Sequence, residues 1–475
     1  MQIIENDFQL NPLVSSIQEA KFFKKKVLTG VIALGARHLI TQLIQTSANI
    51  ILARILFPKD FGVFAIILFL INMFTLLPDL GLNASIIQRN KQPSLSELRA
   101  IFTIQICLGL LSVLLMILVA PLFLQLYKNQ LRPQDYSLLL LSALAPLFYN
   151  LRIIPHSLLE RSISYKRLVA GEVFETAIQQ LITVSLALTG LGVSSFVIGL
   201  VISRFFSAIL FFILKPWRIG FDFSFHLPKS YLTFGLPYQI NGIVGLINGS
   251  LAPIVVGGLA GTTALGLVNW AGGIGALPLA IGQVVGRVVF PVGARVQDDK
   301  KMLKSTLERA IQLISITAFP VIAVMIALAQ PITYIIFTNK WIDGIPSLYI
   351  FTLQSLFLIL ASVLTNGLLA LGKASTVRNF TLFVVILHWF LAIPLVKILG
   401  FNGFSLAGLL SSIVLIYFFK ELKKQISINL LQFITPYLIY SVSTGIVLYI
   451  FTSVYLIHSL LELLLSAIFG FLFYG

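Results

Sequence analysis

Residues 37–49 read Arg37-His38-Leu39-Ile40-Thr41-Gln42-Leu43-Ile44-Gln45-Thr46-Ser47-Ala48-Asn49. His38, Gln42, Gln45 and Asn49 are spaced four, three and four apart, which places them on one face of a helix with Arg37 and Thr41 at its edge. Leu34, Leu39, Leu43, Ile44, Ile50 and Ile51 make the opposite face. The apolar segment around this stretch, 29–54, is long enough to cross a bilayer. An ionisable side chain at bilayer depth costs about 2.5–3.5 kcal/mol on the insertion scale, so this face needs a protein partner or a wet cavity. The amides alone fit a buried inter-helix hydrogen-bond seam equally well. Adding Arg37 and His38 favours a water-filled pathway.

The rest of the chain supplies the bilayer context. Of its 475 residues 58% are hydrophobic and 11% charged, with mean hydropathy +0.97. Soluble domains carry about 25% charged residues, so this is a polytopic membrane protein. Its apolar runs far exceed the roughly ten residues of a barrel strand, which makes the expected fold all-α. Fourteen spans are expected, at 29–54, 61–84, 100–126, 137–158, 169–190, 193–214, 234–258, 264–289, 311–337, 347–370, 379–398, 401–419, 431–455 and 459–474. The last pair is separated only by Leu456–His458, so thirteen spans or a re-entrant C-terminus is the alternative.

The net charge of +16 is distributed as topology rather than as a nucleic-acid surface. Residues 1–20 hold no apolar core of signal-peptide length, and Lys24-Lys25-Lys26 stands before the first span as a cytoplasmic anchor. From a cytoplasmic N-terminus, alternate loops then divide the Lys and Arg residues 23 inside to 5 outside, as the positive-inside rule requires. An even span count returns the C-terminus to the cytoplasm.

An internal repeat sets the domain organisation. Glu97-Leu98-Arg99-Ala100-Ile101 opens the third span and Glu308-Arg309-Ala310-Ile311 the ninth. Ala100 to Pro121 and Ala310 to Pro331 are both 21 residues, with Asn129 and Asn339 eight residues further on. Arg167 and Arg378 fall at nearly the same offset, and Phe61-Gly62-Val63-Phe64 matches Leu265-Gly266-Leu267-Val268. Six helices separate the copies, so the halves share one orientation about an axis along the membrane normal. The expected plan is a cytoplasmic tail at 1–26, an N-lobe of helices 1–6 at 27–214 and an interfacial linker at 215–233. A C-lobe of helices 7–12 at 234–419 and two further helices at 420–475 complete it.

Five cations lie outside the loops: Arg37, Arg54, Arg152, Arg204 and Arg287. Arg54 and Arg287 stand near helix ends, where snorkelling explains them, and Arg152 fits snorkelling and cavity lining equally. Arg37 and Arg204 are near mid-span. A guanidinium suits bidentate phosphate binding, so a cationic cavity suggests an anionic cargo; the competing reading is pairing with an intramembrane acid. The acids available are Asp79, Glu172, Glu175 and Glu462. Asp79 follows Pro78, where a helix bends, and is a candidate for ion coupling or an ion pair. Glu172, Thr176, Gln179 and Thr183 form a second polar stripe, and Glu172 and Glu175 fit inner-end solvation, an ion-coupling site or ion pairs. Glycine and proline crowd 234–293, which fits either close helix packing or an alternating-access hinge.

No catalytic set is visible. Cys107 is the sole cysteine, and His38, His156, His226, His388 and His458 lack metal-ligand spacing. Walker and G-x-S-x-G motifs are absent, so neither an enzyme nor a cofactor is expected.

Several stretches resemble the polysaccharide exporter branch of the multidrug/oligosaccharidyl-lipid/polysaccharide flippase superfamily, the Wzx-type flippases. They are Leu52-Ala53-Arg54-Ile55-Leu56-Phe57-Pro58-Lys59-Asp60-Phe61-Gly62, Asp79-Leu80-Gly81-Leu82, Leu159-Glu160-Arg161-Ser162-Ile163-Ser164-Tyr165-Lys166-Arg167, and Phe290-Pro291 through Asp298-Asp299. The family often carries an Arg or Asp pair in helix seven; this chain has Gly249-Ser250-Leu251-Ala252-Pro253 there. The resemblance implies a flippase of the bacterial cytoplasmic (inner) membrane. It would move polyprenyl-diphosphate-linked oligosaccharide by alternating access, with H+ or Na+ coupling and polysaccharide polymerase machinery as partners. The cavity residues are then Arg37, His38, Gln42, Gln45, Asn49, Arg152, Arg204 and Arg287. A multidrug/cation antiporter of the same superfamily is the alternative, but its cleft would be net acidic, whereas arginines dominate here.

Overall fold

The computed structural model describes residues 15–76, 78–89, 91–127, 130, 135–223, 228–414, 416–455 and 457–474, with 15–32 as backbone only. Every regular element among them is helical. In chain order they are α1 (Ser15–Ile55), α2 (Pro58–Leu76), α3 (Leu82–Gln88), α4 (Leu95–Leu126), α5 (Asp135–Ser142), α6 (Leu144–Leu151), α7 (Ile153–Arg161), α8 (Tyr165–Leu188), α9 (Ser194–Leu214) and α10 (Lys229–Leu251). They continue with α11 (Thr262–Gly275), α12 (Leu279–Arg295), α13 (Lys300–Ala327), α14 (Ala329–Ile332), α15 (Ile345–Ala370), α16 (Ala374–Leu399), α17 (Asn402–Ile413), α18 (Ile416–Lys423), α19 (Leu430–Val454) and α20 (Leu460–Tyr474).

Ten helical stretches among the described residues are long and apolar enough to cross a membrane, eleven if the α11–α12 pair, bent by 47°, is one span. The polar-striped helices α1 and α8, and the fifteen-residue α20, are not among them, so length and hydropathy do not establish the count of fourteen. Helix α1 begins at Ser15 and runs through the lysine run rather than starting at 29. Residues 1–14 of the expected tail, and Asn129 of the repeat, lie outside the described residues.

Proline and glycine break the expected spans at identifiable places. The second span ends at Leu76; Leu80 and Gly81 then take positive φ of 43° and 69° before α3 starts. Asp79 accepts from Asn83 N–H at 3.3 Å and so serves the first turn of α3. The fourth span is three short helices, α5 to α7. In the seventh, α10 passes into a π-helical turn, Ala252–Gly257, at Pro253. Pro121 lies inside α4, whereas its repeat counterpart Pro331 lies in α14 after α13 has ended, so the two matched segments differ in local helix continuity.

The chain divides into two compact units, Met1–Leu52 with Ile67–Leu246, and Ala53–Ile66 with Ile247–Gly475. The first is organised on Leu82, Ile86, Ile101, Ile154 and Tyr231, the second on Leu303, Leu307, Ile311, Ile314, Val363 and Leu422. In the first unit the linker residues lie along α4. Trp217 packs edge-on to Phe102 at 5.3 Å, and Asp222 N–H donates to Thr103 Oγ1 at 2.9 Å. Phe225 of that linker lies outside the described residues. At the start of α4 the Ser94–Glu97 capping box is joined by Arg89, which bonds Glu97 at 3.0 Å and lies over the Tyr231 ring; hydrogen bonding to Glu97 raises the Arg89 pKa further.

The second unit explains the Leu52–Gly62 stretch physically. The last carbonyls of α1 lack intrahelical donors. Trp341 Nε1 donates to Ala53 O at 2.9 Å, and Lys340 Nζ donates to Arg54 O at 2.9 Å and Ile55 O at 3.2 Å. Arg54 in turn donates to Ile335 O at 3.1 Å, in the π-helical turn Thr333–Phe337. It is therefore a carbonyl cap rather than a snorkelling cation. Beyond this knot, α2 and α11 meet through glycines. A Cβ on Gly62 would stand 1.7 Å from Thr262 O, and one on Gly266 1.8 Å from Pro58 O. The contact is reciprocal: each glycine lies against the residue four before the other.

Candidate functional site

Helix α1 is attached to the first unit by a narrow edge. Arg37, Thr41, Ile44 and Ala48, spaced four, three and four, are its less exposed residues, with Ala48 buried. The neighbouring face carries His38, Gln42, Gln45 and Asn49, and all four are exposed. Among the described residues, only Gln42 of these has a side-chain hydrogen bond, to Thr46 at 3.4 Å. The stripe is not a buried hydrogen-bond seam. Leu39 and Leu43, further round, are about two-thirds exposed, as a lipid-facing side would be (65% and 67%).

Arg37 ends this stripe in a charge network. Its Nη1 lies 2.7 Å from Glu172 Oε2 on α8. The other oxygen, Oε1, faces His156 Nε2 at 3.4 Å, and His156 Nδ1 lies 3.9 Å from Glu160. A second pair, Arg152–Glu175, adjoins it and is more enclosed, with side chains 12% and 16% exposed. Ser207 of α9 accepts from Arg152 at 2.9 Å and donates to Glu175 at 3.0 Å, closing a three-membered ring of charge-assisted bonds. Arg152 and Arg204 both lie against the Tyr149 ring, at 4.7 and 5.4 Å. Arg204 Nη1 is buried without a hydrogen-bond partner. A buried guanidinium N–H left unpaired is costly.

The network brings together Arg37, Arg152, Arg204, Glu172 and Glu175 from the sequence expectation. Asp79 stands apart as a turn residue. Arg287 belongs to the second unit, where it lines a pocket of about 630 Å³ with Gln283, Ser362, Asn366 and apolar residues of α12 and α15. Glu172 and Glu175 are ion-pair members; the remainder of their stripe is partly packing, since Thr183 is buried against Gly199. His156, Tyr149 and Ser207 were not singled out by the sequence. Arg152, His156 and Glu160 are spaced four and four, and that signal was available. Among the described residues no cluster of His, Cys, Asp and Glu could hold a metal.

These features define a polytopic helical membrane protein with an exposed polar stripe beside two arginine–carboxylate pairs. Residues 51–346 match the polysaccharide biosynthesis protein family, and the chain belongs to it. Lipopolysaccharide biosynthesis protein WzxC of Escherichia coli (strain K12) is 25% identical over 429 residues, covering 84% of this chain and 83% of that one. Succinoglycan biosynthesis transport protein ExoT of Rhizobium meliloti (strain 1021) is 23% identical over 68% of this chain and 65% of its own. In fold, the chain is similar to the lipid II flippase MurJ in an inward closed conformation, with TM-score 0.75 at 16% identity over 94% of this chain and 98% of that one. An inward-facing multidrug transporter of the MATE family follows at TM-score 0.62, 14% identity and 83% and 98% coverage.

Proposed function

We propose that this protein translocates a polyprenyl-diphosphate-linked oligosaccharide, a precursor of cell-surface polysaccharide, across the bacterial cytoplasmic membrane by alternating access. The observation that carries the reading is the α1 face itself: four polar side chains exposed along one face of the helix, ending in a guanidinium. Amides and imidazole offer both donors and acceptors to sugar hydroxyls, and Arg37 offers a fork to phosphate. The family and the transport and flippase names of similar proteins support the same class of cargo.

In this reading His38, Gln42, Gln45 and Asn49 hold the sugar, while Arg37, with Arg152 and Arg204 behind it, holds the diphosphate. Arg287 serves as a further anion contact. The charge distribution supports termini on the cytoplasmic side. Polymerase machinery on the far side would consume the flipped precursor.

The test is flipping of a polyprenyl-diphosphate-linked sugar in proteoliposomes. A charge-assisted contact contributes about 1.5–3 kcal/mol, so Arg37→Ala is expected to lower cargo affinity by roughly tenfold or more, with Arg37→Lys recovering part of it. Normal flipping by Arg37→Ala, at unchanged protein level in the membrane, would overturn this cargo site. Movement of organic cations instead would favour the antiporter.

A further inference from the structure

We propose that the His156–Glu172 pair is a proton-binding site, filled when an anionic cargo takes Arg37 away from Glu172. The inference deepens the cargo reading above and rests on Arg37 being a phosphate contact.

The argument starts from the shared carboxylate. Glu172 divides its two oxygens between Arg37, at 2.7 Å, and His156 Nε2, at 3.4 Å. In the empty protein Arg37 neutralises it, and Glu172 stands where a cargo phosphate would sit. When phosphate oxygens take the guanidinium, the carboxylate, 22% exposed, loses its bonded counter-charge and keeps only the more distant Arg152, itself paired with Glu175. An uncompensated carboxylate away from water is strongly unfavourable and draws in the nearest available positive charge. That charge is one proton from solvent, taken by the His156–Glu172 pair. Imidazole is suited to it because it titrates near neutral pH.

The surroundings favour the same outcome. Glu160 approaches His156 Nδ1 at 3.9 Å from the same helix, so a charged imidazole would be flanked by two carboxylates. On α9 the Phe211 ring packs against the imidazole at 5.4 Å. Of the other cations nearby, Arg152 is held by Glu175 and Ser207, Arg161 bonds the carbonyls of Ile86, Arg89 and Lys91, and Arg204 lies on Tyr149 with Nη1 unpartnered. None of them hydrogen-bonds Glu172. The exchange involves only hydrogen bonds and one proton: phosphate displaces carboxylate at Arg37, the proton enters between carboxylate and imidazole, and cargo release returns it to water.

Calorimetric titration of the full-length purified protein with a farnesyl-diphosphate-linked sugar, a diphosphate diester with no ionisation of its own near neutrality, tests this, in paired buffers of different ionisation enthalpy from about pH 6 to about pH 8, spanning the ordinary histidine pKa of about 6.5. Uptake of one proton per bound ligand is expected, with affinity falling by up to about tenfold per pH unit as pH rises. Glu172→Gln and His156→Asn should each abolish the uptake and leave an affinity that no longer depends on pH. Glu172→Gln keeps the side-chain shape and covers the case in which the histidine variant does not fold. Binding without proton uptake, or uptake that persists in both variants, overturns the proposal and leaves the cargo reading intact. No binding by wild-type protein at any pH overturns the cargo reading, and this inference with it.

Discussion

The cations around α8 in the first unit and those around the end of α1 in the second are partnered differently. In the first, Arg37 and Arg152 are matched by carboxylates on α8. In the second, Arg54 and Lys340 are matched by carbonyls at helix ends, and Arg287 stands exposed at a pocket without an acid among its lining residues. The 211-residue shift that carries Arg167 onto Arg378 carries Glu172 and Glu175 onto Phe383 and Ile386, both exposed on α16. The acids are thus a property of one repeat. A guanidinium bonded to carbonyls keeps its full charge and closes a helix end, whereas one bonded to a carboxylate is neutralised and can exchange partners. In the proposed mechanism charge exchange falls to the first unit, at the Arg37–Glu172 pair, while the carbonyl bonds of Arg54 and Lys340 close a helix end.

Four substitutions break or sharpen this contrast. The largest effect is expected from Arg152→Ala, which strands Glu175 in an enclosed site. Breaking a buried pair costs about 3–5 kcal/mol, and Arg152→Ala with Glu175→Ala together should restore part of that. Thermal unfolding of purified protein measures these with Glu175→Ala alone; a double variant whose loss equals the sum of the two single losses would show that the pair is not coupled. In the second unit, Gly266→Ala forces a methyl group against a backbone carbonyl. Overpacking of this kind costs about 1–3 kcal/mol, with a matching fall in folded yield. Trp341→Phe keeps the aromatic packing with Phe61 but removes the donor to Ala53 O. It should cost about 1–3 kcal/mol, the penalty for an orphaned buried acceptor. An unchanged melting point would mean another donor reaches that carbonyl.

Much of this was legible in the sequence. Hydropathy and the absence of strand-length runs specified the helical membrane fold, and four-three-four spacing located the polar faces of α1 and α8. Spacing could not say which face of α1 touches protein. Arg37, Thr41, Ile44 and Ala48 are mixed in polarity, and inside a bilayer apolar side chains gain little by preferring protein to lipid. Pairing of Arg37 with Glu172 was weighed as a competitor to cargo binding; the geometry makes it compatible, because a salt bridge with 35% and 22% exposed side chains is an exchangeable one. The break after Leu76 exceeded the expected bend. Gly81 is held in a left-handed conformation against Gly235, where an added Cβ would stand 2.0 Å from a carbonyl. No pattern in the chain announces such a backbone approach.

The reciprocal contact between Gly62 and Gly266 has a bearing on genetic tolerance. Each glycine faces main-chain atoms, Thr262 O and Pro58 O, that no substitution can trim. A defect at either position has no side-chain remedy at the other. Selection for regained export from a Gly62 or Gly266 mutant should therefore yield true revertants, or changes that shift a whole helix, and no compensating exchange across the contact.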